Sequence, residues 1–320
     1  MENKKLRIAF LSRFQGRVER GAETYVLELS KRLSRKFEVE ILSGENADSF
    51  SKIISGNYDF VIPVNGRIQG LKASLGRIFG HYKTIISGQA GICKDDIWNI
   101  FITAPDIYVA LTDWEKAWAK KWAIKTKIAK ISNGVNLENF SPNGEKIKIN
   151  LAKPVVLSVG ALFWYKHHVR TIKALEKLGR GSLLIIGSGP EKENLEKLGN
   201  KLLGSLRFKI LQVPFKEISR YYRSCELFVL PSWDREAFGI VYLEAMASGL
   251  PVVAPDDSPR REIIGDAGIF VDVTNPKKYA EAITEALSKD WKDKSRKQAK
   301  KFSWDLIAEK YKDLFVMLCK

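Results

Sequence analysis

The sequence predicts an α/β protein built from two doubly wound parallel sheets. Short apolar runs of strand character alternate with helical stretches along the whole chain. Strands that are apolar throughout and separated by helices are typical of parallel sheets covered on both faces. A length of 320 residues fits one large or two ordinary domains. A polar stretch at 141–150, with proline and glycine, lies between two series of strands, so we favour two domains joined there.

The predicted strands are apolar runs bounded by glycine, proline or polar residues. In the first half of the chain they cover 6–11, 38–42, 60–64, 83–87 and 108–112. In the second half they cover 155–159, 183–187, 208–213, 227–231, 251–254 and 268–271. The two halves share an architecture but no tandem sequence repeat.

Composition excludes several classes of protein. No apolar run approaches the ~20 residues that a membrane span needs, and the first apolar stretch, at 6–11, is too short for a secretory signal. We therefore expect a cytoplasmic protein. Cys93, Cys225 and Cys319 are widely spaced, without a CxxC or Cys/His cluster, so we expect ordinary free thiols.

The formal net charge of +16 indicates an acidic partner. Nucleic acid, an anionic membrane surface and phosphorylated substrates all fit this charge. A lysine-rich surface without a specific partner is the alternative.

Two glutamates, Glu236 and Glu244, flank the start of a predicted helix and have seven residues between them. The run 240–248 is apolar or small on nearly every side, which predicts a buried helix. A carboxylate at Glu244 would be costly there without a polar partner. The backbone at Phe238 and Gly239 offers free N–H groups at the helix start, where an anion is favoured. An anion followed by hydroxyl groups one to two turns along suits a nucleotide sugar.

This stretch resembles the Glu-x-Phe-Gly-x-x-x-x-Glu-Ala-Met-Ala-x-Gly-x-Pro-Val pattern of the retaining glycosyltransferases of the GT-B fold. That large group includes lipopolysaccharide, mannosyl-phosphoinositide and sucrose transferases. Three further segments are similar to segments of the family and come in its order: 20–23, 131–137 and 159–166.

The resemblance implies two Rossmann-like domains whose parallel sheets face a central cleft. The N-terminal acceptor domain would cover 1–149, with 303–320 as a helix that crosses back onto it. The C-terminal donor domain would cover 150–302.

The resemblance also implies roles for single residues, with Glu236 and Lys166 as the catalytic ones. Glu244 would bind the ribose hydroxyls and Glu236 the hydroxyls of the transferred sugar. Lys166 would lie on the donor diphosphate, where its charge offsets the developing charge of the leaving group. Phosphate or sugar would also meet the backbone of Ala237, Phe238 and Gly239.

Four glycine or backbone positions complete the expected donor site. The loop from Gly16 to Gly21 follows the first strand and has a flexible backbone that can admit phosphate or sugar, although a purely structural loop is the alternative. Gly187 ends another strand and either approaches the ligand or permits close packing. The family holds the nucleotide base near Val213, largely through the backbone.

The chain departs from the family pattern at two positions. The family often has arginine where Ala161 stands, and Arg170 or Arg17 is the candidate replacement. Many relatives have a histidine after the strand at 83–87, where this chain has Gln89, which donates hydrogen bonds but no proton at neutral pH. With Asn133, these are the candidates for the acceptor or sugar side.

We expect no metal and no cofactor beyond a nucleotide-sugar co-substrate of unknown base. Asp95-Asp96 and Asp256-Asp257 are adjacent pairs, and no Asp-x-Asp element stands where a metal would hold a diphosphate. The pair Arg260-Arg261 is expected to cover the surface.

The predicted function is transfer of a sugar from a nucleotide-sugar donor to an acceptor hydroxyl, with retention of configuration and without metal. The acceptor is a lipid-linked or other glycan. A catalytically weakened nucleotide-sugar-binding subunit stays open because of Ala161 and the absent histidine, as does a nucleotide-sugar epimerase or phosphorylase. A nucleic-acid-binding protein would rest on charge alone, and we expect none to bind.

Two stripes in the N-terminal half predict contact with an anionic membrane surface, on the inner face of the cell membrane. Apolar residues recur at helical spacing within 67–83, together with arginines and lysines. Trp114, Trp118 and Trp122 recur every four residues in a second predicted helix that also carries lysines. The alternative is that both stripes pack against the sheet.

Overall fold

A computed structural model of the chain describes residues 5–18, 21–64, 66–232, 236–291 and 293–319. The chain divides into two compact units: unit 1 consists of Met1–Gly134 with Trp304–Lys320, and unit 2 of Val135–Ser303. The division follows residue 134, earlier than the predicted boundary at 149. The polar stretch at 141–150 packs on unit 2, because Arg223 Nε donates to the Glu145 carbonyl at 2.8 Å and the Ile147 N–H to Ser224 Oγ at 2.8 Å.

Twelve strands are present in the described residues, six in each unit. Those of unit 1 are β1 (Arg7–Leu11), β2 (Glu38–Leu42), β3 (Phe60–Pro63), β4 (Lys83–Ser87), β5 (Ile107–Ala110) and β6 (Lys127–Lys130). Those of unit 2 are β7 (Val155–Val159), β8 (Ser182–Ile186), β9 (Phe208–Leu211), β10 (Leu227–Val229), β11 (Val252–Pro255) and β12 (Gly268–Val271). Eleven of them match predicted strands. The sequence prediction missed β6, an edge strand with two lysines, which lacks the apolar run of a buried strand.

The helices in chain order are α1 (Gly21–Leu33), α2 (Phe50–Ser55), α3 (Arg67–Gly80), α4 (Lys94–Ile97), α5 (Asp113–Ala119), α6 (His168–Leu178), α7 (Lys192–Leu203), α8 (Phe215–Tyr222), α9 (Ile240–Ala247), α10 (Ser258–Ile264), α11 (Pro276–Ser288), α12 (Lys294–Lys300) and α13 (Trp304–Cys319). A π-helical turn, Trp98–Ile102, follows α4. Within the described residues, no helix combines the length and apolar character that crossing a bilayer requires.

Both sheets are parallel and doubly wound, as the apolar strand pattern predicts. In unit 1 the strand order is β2-β1-β3-β4-β5-β6, and in unit 2 it is β12-β11-β10-β7-β8-β9. The chain reverses its direction of travel across the sheet between β1 and β3 and between β7 and β10. At such switch points the connecting helices leave to opposite faces, and the crevice at the carboxyl ends of the strands is open to a ligand.

Candidate functional site

The switch point of unit 2 brings together the two residues predicted to be catalytic. Lys166 lies in the loop that follows β7, and Glu236 lies in the loop that follows β10. These strands are hydrogen-bonded neighbours, so their carboxyl ends lie side by side. Lys166 Nζ and Glu236 Oε2 form an ion pair at 2.5 Å, and the two side chains are 15% and 12% exposed. The site therefore holds a cation and a carboxylate in contact, each still partly open to solvent.

Gly239 sets the path of the chain from Glu236 into α9. Its φ is +82°, and a Cβ built there would lie 2.6 Å from the ring of Tyr242. A residue with a side chain would be strained in this conformation and would also clash. The Tyr242 hydroxyl donates to the Leu230 carbonyl at 2.7 Å and so ties α9 back to the end of β10. Ala237 is half-buried in the same turn and Phe238 is buried.

Arg260 holds the loop after β10 through a hydrogen bond to its backbone. The expectation that it covers the surface is wrong, since the side chain is buried. Its Nη2 donates to the Ser232 carbonyl at 2.8 Å, next to residues 233–235, which lie outside the described part of the chain. Arg261 is exposed and pairs with Asp256, as expected of a surface residue. The two neighbours differ because α10 turns one side chain inward.

Glu244 is buried in α9, and so is every other residue of that helix except Val241. The prediction of a buried helix is thus confirmed. Burial raises the pKa of Glu244 to about 7, while the hydrogen bond from Tyr222 acts in the opposite sense. The Tyr222 hydroxyl donates to Glu244 Oε2 at 2.8 Å. The polar partner that the sequence argument required is therefore supplied, on one oxygen, by the protein itself.

The loops after β7, β8 and β9 lie side by side at the carboxyl ends of these neighbouring strands. Gly187 follows β8, and a Cβ built there would lie 1.9 Å from the Gly160 carbonyl oxygen, so close packing accounts for this glycine. Val213 is half-buried in the loop after β9. Arg170 lies in the first turn of α6, just beyond Lys166, whereas Ala161 is exposed. Of the two candidate replacements for the missing arginine, Arg170 thus shares unit 2 with Lys166.

His168 lies beneath this loop. Its ring is buried, and its Nδ1 is 3.3 Å from Ser158 Oγ on β7. Burial lowers the pKa of His168 to about 4, and the charge of Lys166 adds to this effect. The ring is therefore neutral at physiological pH and adds no positive charge to the site.

The remaining predicted site residues lie in unit 1. Gln89 and Asn133 form a reciprocal amide pair, with N···O distances of 2.9 and 3.0 Å, and Gln89 Nε2 also donates to Ser87 Oγ at 3.0 Å. Gly16 has a φ of +77° and stands in an exposed turn after β1 together with Arg17. Gly21 is already the first residue of α1, and Arg20 of the resembling segment lies outside the described residues.

Sequence reasoning missed a buried acidic cluster behind Gly88. Glu115 Oε1 accepts from the Tyr108 hydroxyl at 2.7 Å, and Oε2 accepts from the Leu111 N–H at 2.8 Å. Burial raises the pKa of Glu115 to about 7. Burial, and then Glu115, raises the pKa of the neighbouring Asp96 carboxyl. The Thr-x-x-Glu pattern at the start of α5, typical of a helix N-terminus, was the available signal.

No group of three or more His, Cys, Asp or Glu side chains within the described residues is arranged to hold a metal ion. Cys93, Cys225 and Cys319 are free cysteines.

Residues 140–303 match the family model described as Glycosyl transferases group 1. This segment contains Lys166, Glu236 and Glu244. A Haemophilus influenzae protein described as an uncharacterized glycosyltransferase is 30% identical over 226 residues, which are 67% of this chain and 62% of that protein. The chain thus matches less than two thirds of that relative's length.

Solved structures share the fold. A sucrose-phosphate synthase from Thermosynechococcus elongatus has a TM-score of 0.82 at 18% identity, over 98% of this chain and 99% of that one. HepE of Anabaena, solved with UDP and glucose, has a TM-score of 0.78 at 17% identity, over 98% of this chain and 100% of that one. The family match covers half of the chain, and the two parallel sheets are those of these GT-B structures. The chain therefore belongs to the group 1 glycosyl transferases and has the GT-B fold.

Proposed function

We propose that this protein transfers a hexose from a nucleotide-sugar donor to an acceptor hydroxyl, without a metal and with retention of anomeric configuration. The observation that carries the proposal is the Lys166–Glu236 pair at the switch point of unit 2, at 2.5 Å. The nucleotide part of the proposal is supported by HepE, a protein of the same fold that was solved with UDP.

The donor would extend along α9 and the loop before it. Lys166 is assigned to the diphosphate, together with the backbone of Phe238 and Gly239. Glu236 is assigned to the hydroxyls of the transferred sugar, and Glu244 to the ribose hydroxyls. A lysine held by one carboxylate is already oriented, so less side-chain entropy is lost when the phosphate binds.

The reaction needs one bond exchange and one proton transfer. The bond from the anomeric carbon to the diphosphate oxygen breaks, and a bond from that carbon to the acceptor oxygen forms on the same face. The acceptor's proton passes to the leaving diphosphate oxygen. Lys166 offsets the charge that grows on the diphosphate, and electrostatic stabilisation of this kind is usually the largest single contribution to catalysis.

The acceptor in this proposal is a glycan or a lipid-linked sugar, reached on the cytoplasmic side of the cell membrane. The Gln89–Asn133 amide pair is the candidate contact for the acceptor in unit 1. Its amides are held by each other and by Ser87, so any contact would come from a fixed orientation.

The test begins with thermal shifts in UDP, GDP and ADP, each with and without EDTA. One nucleotide should stabilise the protein by about 2–3 kcal/mol at a hundred times its Kd, and EDTA should leave the shift intact. Lys166→Met should abolish most of the shift, whereas Lys173→Met, an exposed lysine on α6, should leave it unchanged. No shift with any nucleotide, or loss of the shift in EDTA, would contradict the proposal.

Turnover separates the enzyme from a binding subunit. Incubation with the sugar nucleotide that binds should release nucleoside diphosphate, slowly to water and faster with an acceptor. The anomeric configuration of the product, read by NMR, tests retention. Tight binding with no turnover on any acceptor would favour the weakened binding subunit.

A further inference from the structure

Helix α3 packs mainly through small residues and Gln69, and exposes most of its large apolar ones. Its buried side consists of Gln69, Gly70, Ala73, Ser74 and Gly76. A Cβ built at Gly76 would lie 2.4 Å from the Tyr82 hydroxyl, so the helix lies close on the sheet through this side. Four of its five large apolar residues are between 51% and 69% exposed, namely Ile68, Leu75, Ile78 and Phe79, and the fifth, Leu71, is half-buried. A helix whose only role was to cover the sheet would bury its large apolar residues and expose its polar ones.

The same layer of unit 1 exposes further large apolar side chains. The chain runs from β3 to β6 in one direction, so right-handed connections place α3, the π-helical turn and α5 on one face of the sheet. Phe101 and Ile102 on the π-helical turn are exposed, as are Trp114, Trp122 and Ile124.

The second predicted stripe is thereby corrected. Helix α5 ends at Ala119, so Trp122 stands in the turn that follows it. Trp118 packs against a buried cluster with Ile86 and Ile100. Two of the three tryptophans therefore point outward, Trp114 and Trp122. We call the exposed apolar residues of α3, the π-helical turn, α5 and Ile124 the α3–α5 face.

Cations accompany these apolar residues. Lys116, Lys120, Lys121 and Lys125 stand on α5 and just after it, and within the described residues the structure gives none of them an ion pair. The opposite layer, α1 with α13, differs: there Arg35 pairs with Asp305 at 3.2 Å. Lys36 and Lys312 on that layer both pair with Glu309 as well.

On α1 and α13 the described contacts also leave Lys31 and Lys310 without an ion pair, and on α3 Arg67 and Arg77 are paired with Asp95 and Asp106. The two layers therefore differ in number, with four such cations on α5 and the turn after it against two on α1 and α13.

We propose that the α3–α5 face docks on an anionic phospholipid bilayer. Exposed tryptophan favours the headgroup region, and apolar side chains ringed by lysine are typical of interfacial helices. A second copy of the chain is the poorer occupant, because a two-fold contact would set the same lysines against each other. The bilayer supplies the opposite charge and accepts apolar side chains spread over several elements.

The docking face goes beyond the proposed sugar transfer and is tested without donor or acceptor. The full chain is floated with vesicles of phosphatidylcholine alone and with vesicles of equal parts phosphatidylcholine and phosphatidylglycerol. We expect binding to the mixed vesicles at low salt, weakened at high salt because exposed charges are screened. Nucleotide thermal shifts on the same sample report the donor site separately.

Two pairs of variants locate the contact. Lys120→Gln with Lys121→Gln should weaken partitioning about thirtyfold, given the usual contribution of a cation near an anionic surface. Lys197→Gln with Lys201→Gln on α7 changes the net charge equally and should have no such effect. Ile68→Ser with Ile78→Ser should weaken partitioning about tenfold or more. Leu27→Ser with Leu206→Ser, both exposed outside the face, is the matched control.

Three results would overturn the proposal. Negligible binding to both kinds of vesicle would remove the face as a membrane contact, as would equal binding to both. Equal losses in the face variants and in their controls would show nonspecific attraction by the net charge. Dimers in sedimentation that Ile68→Ser with Ile78→Ser disrupts, without vesicle binding, would assign the face to a second copy.

Discussion

Units 1 and 2 each bury one glutamate against a tyrosine, and the two pairs invite comparison. In unit 1 the Tyr108 hydroxyl donates to Glu115 at 2.7 Å, and in unit 2 the Tyr222 hydroxyl donates to Glu244 at 2.8 Å. Burial raises the pKa of each carboxyl to about 7. By burial and acidity alone, the two glutamates are indistinguishable.

The hydrogen bonding of the second carboxylate oxygen distinguishes Glu115 from Glu244. Glu115 Oε2 accepts the Leu111 N–H at 2.8 Å, so both of its oxygens are occupied by the protein. Among the described residues, the hydrogen bond that the structure gives Glu244 comes from Tyr222, on Oε2. Acceptor capacity therefore remains on Glu244, as the ribose assignment requires. Burial and pKa therefore do not separate a structural carboxylate from a candidate ligand contact, whereas the number of internal hydrogen-bond donors does.

The largest expected effect comes from removing Glu115, the carboxylate that accepts two hydrogen bonds. Glu115→Ala leaves the Tyr108 hydroxyl and the Leu111 N–H buried without their acceptor, and should cost about 4 kcal/mol in unfolding free energy. Glu244→Ala leaves only the Tyr222 hydroxyl and should cost about 2 kcal/mol. Urea unfolding measures both variants.

Nucleotide binding should reverse that order. Glu244→Ala should lose the thermal shift with nucleotide, and Glu115→Ala should keep it at temperatures where it is folded. If Glu115→Ala also loses the shift while folded, the distinction between a structural and a binding glutamate fails.

The second effect is a pH dependence of stability. Each glutamate has its pKa raised from 4.5 to about 7 in the folded protein, so between those values the folded state binds more protons than the unfolded state. Each carboxyl therefore destabilises the fold as pH rises through 7, by about 3 kcal/mol in full. The neutral His168 acts in the opposite sense, since burial lowers its pKa to about 4.

Comparison of variants isolates the carboxyl contributions. Unfolding free energies of the wild type and of Glu244→Gln are measured from pH 5 to pH 8. The wild type should lose stability relative to Glu244→Gln as pH rises. A constant difference across this range would mean that Glu244 titrates normally.

The sequence predicts the fold well because apolar strand runs are local. Eleven strands and both sheets follow from runs such as 155–159, where every residue is buried. The same signal fails for β6, a four-residue edge strand with a lysine at each end. It also fails to show which side of α3 is buried, because that side consists of Gln69 and four glycine, alanine or serine residues, none of which carries a strong apolar signal.

The sequence predicts the part of the candidate site that lies within the motif of the two glutamates. Glu236, Glu244 and Gly239 stand in one stretch of chain, and the pairing of Lys166 with Glu236 follows from the order of β7 and β10. Tyr222 and Arg260 come from segments distant in sequence. No local pattern predicts that Tyr222 donates to Glu244 or that Arg260 donates to the Ser232 carbonyl. Long-range hydrogen bonds of this kind depend on how elements pack, which periodicity does not encode.

The third effect concerns the more exposed carboxylate of unit 2. Glu236→Gln removes the charge that faces Lys166 and the proposed sugar contact, and should slow sugar transfer about a hundredfold. Unfolding free energy should fall as well, because the pair is largely buried and Lys166 would lose its counter-charge. Steady-state kinetics with the identified donor measure the loss. Glu193→Gln, an exposed residue of α7, is the control, and equal rates for both variants would contradict the assignment.

The smallest effect tests whether Tyr222 holds Glu244 in place for the nucleotide. Tyr222→Phe keeps the ring that packs against Phe140 and Phe228 and removes only the hydroxyl. A typical hydrogen bond contributes about 1 kcal/mol, so we expect a fivefold rise in the Kd of the nucleotide and an equal loss of stability. Tyr108→Phe removes the same bond from Glu115, and should cost similar stability while leaving the Kd unchanged. Calorimetry on both variants decides the matter: equal Kd values for Tyr222→Phe and the wild type would mean that the hydroxyl only satisfies a buried carboxyl, as in unit 1.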